Sequence, residues 1–227
     1  AMTGFSSLDG EQTFPWLPSG PALLFAPADR PERFQKAAER SDMVIIDLED
    51  GAAVDNHEQA RANIINNPLD PETTILRITG PGTPTFAEDV AFARACDYDI
   101  VMVPKIRDSI PAELKGLKII AMIETPQAMI NIQQIATHPN VVGLFWGAED
   151  LTAELGGVSS RQSVDENPRR HYRDPQRLAR ALVQVHAAAA GIAAIDAIHA
   201  DFRDERGQYL EALDAVAVSY THLRAHE

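Results

Sequence analysis

Seven short apolar runs recur along the chain, at residues 22–26, 43–48, 74–78, 100–103, 118–123, 141–146 and 192–195, with amphipathic segments between them. Most are near-continuous rather than alternating. A strand covered by helices on both faces is apolar on both, so such runs read as parallel strands. The segments between them carry helix punctuation. Pro31 stands in the first turn before residues 33–40, and Thr125-Pro126 supplies a cap and a first-turn proline before residues 127–137. Asp174-Pro175 does the same for residues 176–190, which Gly191 closes. Helix following strand throughout implies a parallel sheet, either an open doubly wound sheet or a (β/α)8 barrel. The first strand runs into Phe25-Ala26-Pro27-Ala28-Asp29-Arg30 without a glycine-rich phosphate fingerprint, which weakens the dinucleotide-binding version of the open sheet.

With 227 residues, 45% of them hydrophobic, the chain can bury the core of one such domain. Its 20 Lys+Arg against 33 Asp+Glu leave a formal charge of −13. Nucleic acid and anionic membrane surfaces are bound through basic patches, so this balance argues against both and for a small ligand. Cys96 is the single cysteine and cannot form an internal disulfide. Residues 1–20 read as a loose N-terminal arm anchored by Trp16, without a secretory apolar region, and no apolar run approaches the roughly 20 residues needed to span a bilayer. The expected location is cytoplasmic.

What each run ends in carries the chemistry. The second ends in Asp47, Glu49 and Asp50; the third carries Arg77; the fourth runs into Lys105. The fifth ends in Glu124, the sixth is followed by Glu149 and Asp150, and the seventh by Asp196. In a parallel barrel all these C-terminal ends open on one face, so the charges converge on one mouth. Glu124 and Asp150 end neighbouring strands. Two carboxylates plus waters suit Mg²⁺, or Mn²⁺ in its place, and the absence of His and Cys there argues against zinc. Arg77 has a fork that can hold a carboxylate in two parallel hydrogen bonds. Metal plus arginine is a clamp for an α-keto acid: it would polarise the carbonyl, stabilise an alkoxide or enolate, and favour carbon–carbon cleavage beside it.

Each residue alone also has a plainer role. A strand-end carboxylate more often caps a helix or pairs with a lysine than binds metal, Arg77 could be an internal ion-pair partner, and Lys105 more often pairs with a carboxylate than catalyses. Asp47, Asp50 and Asp196 could be caps or supporting residues. Convergence on one mouth is what favours function. His57, His138, His171, His186 and His199 lack ligand spacing, and Cys96 reads as a small packed residue at a helix end. The one long irregular stretch, residues 156–172, is either a solvated connection or a ligand-covering loop whose Arg161, Arg169 and Arg170 meet phosphates.

The strings Leu24-Phe25-Ala26-Pro27-Ala28-Asp29-Arg30-Pro31-Glu32-Arg33-Phe34, Ile45-Ile46-Asp47-Leu48-Glu49-Asp50-Gly51, Leu76-Arg77-Ile78, Val103-Pro104-Lys105, Met122-Ile123-Glu124-Thr125 and Trp146-Gly147-Ala148-Glu149-Asp150-Leu151 occur in that order. Together they resemble the citrate lyase β-subunit-like (CitE-like) branch of the HpcH/HpaI aldolase family, and most of all its stand-alone actinobacterial-type acyl-CoA lyases. The resemblance implies a (β/α)8 TIM barrel, usually in a homotrimer, that uses Mg²⁺ on β-hydroxyacyl-CoA thioesters of the citramalyl-CoA, malyl-CoA or citryl-CoA type. Carried over by position, Glu124 and Asp150 would ligate the metal and Arg77 would bind the keto-acid carboxylate. Glu49, with Asp47 behind it, would orient metal waters or substrate, and Lys105 would face the substrate. The first βα loop around Asp29, Arg30 and Arg33, with Lys36, would lie near the coenzyme A moiety.

Three positions depart from the family. Thr79 stands where Asn commonly follows Arg-Ile, and the usual Lys of the helix after the Asp-Leu-Glu-Asp run is missing around His57. The third departure is the end. After Val218 the family would continue into an eighth strand, a last helix and a lid, whereas this chain reads Ser219-Tyr220-Thr221-His222-Leu223-Arg224-Ala225-His226-Glu227. That run resembles the translated read-through of a sequencing adapter. The expected organisation is therefore an arm over residues 1–20, a lyase domain over 21–218 truncated after its seventh βα unit, and a foreign tail over 219–227. Such an open barrel has two unpaired sheet edges and can lack activity.

The leading expectation is a Mg²⁺-dependent carbon–carbon lyase that releases an acyl-CoA and an α-keto acid. A malyl-CoA-type thioesterase, a class II aldolase acting on free hydroxy-keto acids, and a non-catalytic citrate lyase-like binding subunit are the alternatives. The aldolase is disfavoured by Glu49-Asp50, where those relatives usually show a His after the Glu.

Overall fold

The computed structural model describes residues 16–52, 56–199, 203–218 and 222–224. Each of the seven apolar runs forms a strand: β1 Ala22–Pro27, β2 Met43–Asp47, β3 Thr74–Arg77, β4 Ile100–Val103, β5 Lys118–Ile123, β6 Val141–Trp146 and β7 Ala193–Ile195. Neighbours pair in parallel and in sequence order. The described helices are α1 Phe34–Ala38, α2 His57–Asn66, α3 Phe86–Ala95, α4 Pro126–Ile130, α5 Ile132–Ala136, α6 Ala148–Glu154, α7 Asp174–Ala190 and α8 Glu205–Ala217.

Side chains alternate across a strand, and the two faces build two cores. Val44, Ile46, Val101, Val103, Leu144 and Trp146 face the helices, where Val183 and Ala187 of α7 and Phe34 of α1 meet them. Leu23, Phe25, Met43, Ile45, Ile75, Met102, Met122, Phe145 and Ile195 face the opposite way and touch one another. This inner cluster draws on strands from β1 to β7, so the sheet curls around it as a partial barrel. Trp16 packs against the inner cluster, and the backbone N–H of Ser19 lies 3.4 Å from Met43 Sδ. The anchoring expected of Trp16 is thus present; the rest of the expected arm, residues 1–15, lies outside the described residues.

Two expectations need correction. The helix expected over 127–137 is two single turns, α4 and α5, separated at Asn131, whose Nδ2 at 2.9 Å and backbone N–H at 3.0 Å both donate to Gln127 O. After β4 there is only a 3₁₀ turn, Ala112–Leu114, because Pro104 and Pro111 remove donors and Gly116 turns the chain at φ +87°. Helix therefore does not follow every strand. Within the terminal run, His222–Arg224 forms a three-residue strand, β8, parallel to β1. Among the described residues β8 pairs with β1 alone and β7 with β6 alone, so the curl is not closed between them.

Elsewhere the punctuation acts as expected. Thr125 Oγ1 accepts the N–H of Ala128 to cap α4. Gly191 ends α7 at φ +70° and donates to Ala187 O and Ala188 O. Cys96 sits at the C-cap of α3 and packs against the outer core. No helix among the described residues is long and apolar enough to cross a membrane.

Candidate active site

The inward parity of three strands continues past their apolar residues into charged ones. After Ile45 comes Asp47, after Ile75 comes Arg77, and after Ile120 and Met122 comes Glu124. A period of two thus delivers an acid, a base and an acid to the top of the inner core. All three are buried, with Glu124 fully inaccessible. Glu49 enters from the turn after β2, where its N–H donates to Asp47 Oδ1 at 3.0 Å. Lys105 enters from the turn after β4, and Asp150 from the first turn of α6.

Arg77 is held on every side. Its Nε donates to Asp47 Oδ1 and its Nη2 to Asp47 Oδ2, both at 2.7 Å. Nη2 also donates to Asp50 Oδ2 at 3.0 Å, Nη1 lies 3.1 Å from Glu49 Oε2, and the guanidinium stacks 4.6 Å from the Phe25 ring centroid. Burial alone would lower its pKa, but Asp47, Glu49 and Asp50 outweigh burial and hold it above the ordinary arginine value. The fork expected for a substrate carboxylate is therefore shared: its Nε–Nη2 edge belongs to Asp47. Nη1, outside the Asp47 pair, lies beside Glu49.

Glu124 accepts the Lys105 backbone N–H at 2.8 Å through Oε1, while Oε2 is buried without a hydrogen-bond partner. Gly147, directly after β6, makes room for that orphaned oxygen; a Cβ there would overlap it. Burial pushes the Glu124 carboxyl up to about 7, with Lys105 pulling it down and Asp150 raising it. Burial likewise pushes Glu49 up to about 8 against the pull of Arg77, and Glu124 adds to the rise. Lys105 Nζ pairs closely with Asp150 Oδ1 and lies 3.7 Å from Glu124 Oε1 and 3.9 Å from Glu49 Oε1.

Two cations, Arg77 and Lys105, thus face five carboxylates, Asp47, Glu49, Asp50, Glu124 and Asp150. The negative excess and the orphaned Glu124 oxygen fit a divalent cation. Among the described residues no three His, Cys, Asp or Glu side chains are grouped so as to hold a metal ion by themselves. Glu124 and Asp150, sharing Lys105, are the pair that could hold it.

Other predicted residues lie elsewhere. Arg30 is exposed, 3.8 Å from Asp29, at a surface cleft of about 400 Å³ lined also by Glu32, Asn56, Gln59 and Asn63. Lys36 is exposed on α1. Glu149 accepts from Ser160 Oγ at 2.6 Å and so ties the irregular 156–172 stretch to α6. Within that stretch Arg161 stacks 3.7 Å from the Tyr172 ring centroid and pairs with Glu211. Asp196 is structural: it accepts Trp146 Nε1 at 2.7 Å and Arg180 Nε and Nη2 at 3.0 and 2.6 Å.

Sequence reasoning passed over Gly147 and Asp89. A glycine between a strand and an acidic helix start is a recognised sign of close approach, so Gly147 was findable. Asp89 is fully buried and accepts the Thr79 N–H at 3.1 Å, Thr79 Oγ1 at 2.8 Å and Arg61 Nη1 at 2.8 Å. It fixes the segment after Arg77, and nothing local in the sequence marks it.

Known proteins share this architecture. The HpcH/HpaI aldolase/citrate lyase family model matches residues 22–225. A citrate lyase subunit beta-like protein of Mycobacterium tuberculosis is 43% identical over 203 residues, covering 89% of this chain and 72% of that protein. An L-malyl-CoA/beta-methylmalyl-CoA lyase of Cereibacter sphaeroides is 30% identical, covering 81% and 68%. The crystal structure of CitE from M. tuberculosis in complex with magnesium, acetoacetate and coenzyme A superposes with a TM-score of 0.86 at 42% identity, over 92% of this chain and 77% of that one. Fold, strand-end residues and these matches agree, and the chain belongs to the HpcH/HpaI aldolase/citrate lyase family.

Proposed function

We propose that this protein is a Mg²⁺-dependent carbon–carbon lyase acting on a 3-hydroxyacyl-CoA, giving an acyl-CoA and an α-keto acid. The observation that carries this is the buried, unpartnered Glu124 Oε2 in a mouth with excess carboxylate and one arginine. Support comes from the CitE crystal structures in complex with magnesium and either pyruvate or acetoacetate with coenzyme A. Glu124 and Asp150 would hold Mg²⁺, and Mn²⁺ could replace it. When bound, the ion acts as a Lewis acid on the keto oxygen.

The chain's own residues do the rest. Arg77 Nη1, with its guanidinium immobilised by Asp47, receives the carboxylate that becomes the keto acid's. Glu49, poised near neutral pH, can carry a proton at the mouth as the hydroxyl loses one and the thioester enolate gains one. Lys105 adds a positive charge toward the anionic substrate. The cleft at Arg30 lies on the first βα loop, where the nucleotide end of coenzyme A would run. We read the curled sheet as part of a (β/α)8 barrel and the working assembly as a cytoplasmic homotrimer.

A coupled assay with citramalyl-CoA and malyl-CoA tests the reading. Pyruvate or glyoxylate should appear together with acetyl-CoA and depend on Mg²⁺; absence of both keto acids would sink it. A (3S)-malyl-CoA thioesterase of C. sphaeroides is 31% identical to this chain, so free coenzyme A in place of acetyl-CoA would favour hydrolysis.

A further inference from the structure

The cation at the centre of the carboxylates belongs to the chain itself. Lys105 Nζ pairs with Asp150 and lies within 4 Å of Glu124 and Glu49. Its backbone is committed to this placement. Lys105 and Arg170 are the described non-glycine residues with positive φ, and Lys105 sits at +53° while its N–H donates to Glu124 Oε1. A non-glycine residue in that region is strained and persists only where its surroundings over-determine it. The stem is set as closely as the ends: a Cβ at Gly80 would lie 3.2 Å from Lys105 Cβ.

We infer that the Lys105 ammonium is a tethered counter-ion that occupies the divalent-cation position and is exchanged for the metal when it binds. The inference rests on the proposed Mg²⁺ reading and adds to it a residue that sets metal affinity. Asp150 cannot give the same oxygen to a hydrated divalent ion and to an ammonium, and Glu124, whose Oε1 lies 3.7 Å from the ammonium, brings its free Oε2 to the same place. Two cations within about 4 Å of one another also repel strongly at a partly buried site. The side chain is one-third exposed and has four rotatable carbons, so it can swing out while its N–H stays on Glu124. Until the metal arrives, the ammonium keeps the acids from repelling one another.

Two measurements on the whole chain test this. In isothermal titration with MgCl₂, Lys105→Met should bind Mg²⁺ about tenfold tighter than wild type or better, since it keeps the stem and removes the competing charge. Lys105→Arg should stay close to wild type. Equal or weaker binding by Lys105→Met overturns the exchange. The second measurement needs no variant. Acylation of Lys105 by an amine-reactive reagent, quantified by peptide mass spectrometry, should rise severalfold on adding Mg²⁺, because the ammonium leaves its carboxylates. Unchanged or reduced labelling of a protein that binds Mg²⁺ overturns the exchange and leaves the lyase reading standing. Failure of both wild type and Lys105→Met to bind Mg²⁺ overturns the lyase reading itself.

Discussion

Asp47 takes the Nε–Nη2 edge of Arg77 in a two-point pair, 2.7 Å to each carboxylate oxygen, with both side chains buried. The two residues face each other across the β2–β3 ladder, where Asp47 registers with Arg77. Asp47 thereby decides which edge of the guanidinium is left for a ligand, without needing to touch one.

Removing that partner should therefore be costly in two ways. Asp47→Ala leaves a buried arginine charge without its strongest contact, which typically costs about 3–5 kcal/mol. Asp47→Asn keeps one acceptor and should cost less. Urea denaturation gives the stabilities. Steady-state kinetics should show a raised KM for the 3-hydroxyacyl-CoA in Asp47→Asn, because the guanidinium loses its two-point anchor.

Glu124 makes the stability of the metal-free protein depend on pH. Its carboxyl is pushed from the ordinary 4.5 up to about 7 by burial, so the folded state holds this proton more tightly than the unfolded chain. Stability contributed by the bound proton is complete below about pH 4.5 and is lost as pH rises through about 7. In EDTA, Glu124→Gln should accordingly melt close to wild type at pH 5. At pH 8 it should melt higher, by on the order of 2 kcal/mol, or roughly 4–8 °C for a chain of this size. Mg²⁺ should raise the wild-type Tm at pH 8 and leave Glu124→Gln unmoved. A variant that melts lower than wild type at pH 8 would contradict the unfavourable burial of the charge.

Gly147 tests whether the room around Glu124 Oε2 is needed. Gly147→Ala adds a Cβ onto that oxygen and 3.1 Å from Glu124 Cβ. The backbone here is extended at φ −106°, so alanine strains nothing else. The carboxylate must turn, and Mg²⁺ affinity should fall at least tenfold by titration calorimetry. Far-UV circular dichroism should remain that of wild type.

The strands and the mouth were legible because they are local. A run such as Met43-Val44-Ile45-Ile46 declares a doubly covered strand, and alternation then places Asp47, Arg77 and Glu124 on one face without any knowledge of contacts. What escaped was pairing at a distance. Asp47 and Arg77 are 30 residues apart, and whether the arginine fork meets an internal acid or a substrate depends on rotamers, which leave no mark in the sequence. The positive φ of Lys105 was equally hidden, since such a conformation is usually announced by glycine. Asn131 marks a break in the helix that Thr125-Pro126 correctly starts, and its side chain folds back onto Gln127 O, a contact that periodicity does not announce.

Asp196 separates the acids that hold the fold from those proposed for chemistry. It ends β7 as Glu124 ends β5, yet its oxygens are filled by Trp146 Nε1, by Arg180 Nε and Nη2, and by the N–H of Ala197. With no oxygen left over, it has nothing to offer a metal, in contrast to the orphaned Oε2 of Glu124. Arg180 also reaches Asp214 on α8, so Asp196 links β6, β7, α7 and α8 through charge-assisted bonds. Asp196→Ala should cost about 3–5 kcal/mol by leaving Arg180 and the indole N–H short of partners, read by urea denaturation. Trp146 is fully buried, and loss of its acceptor should shift its fluorescence emission. The Mg²⁺ affinity of the folded fraction should stay within about threefold of wild type, because Asp196 does not contact Glu124, Asp150 or Lys105. A variant that keeps its stability but loses Mg²⁺ would move Asp196 into the metal site and refute the division of roles.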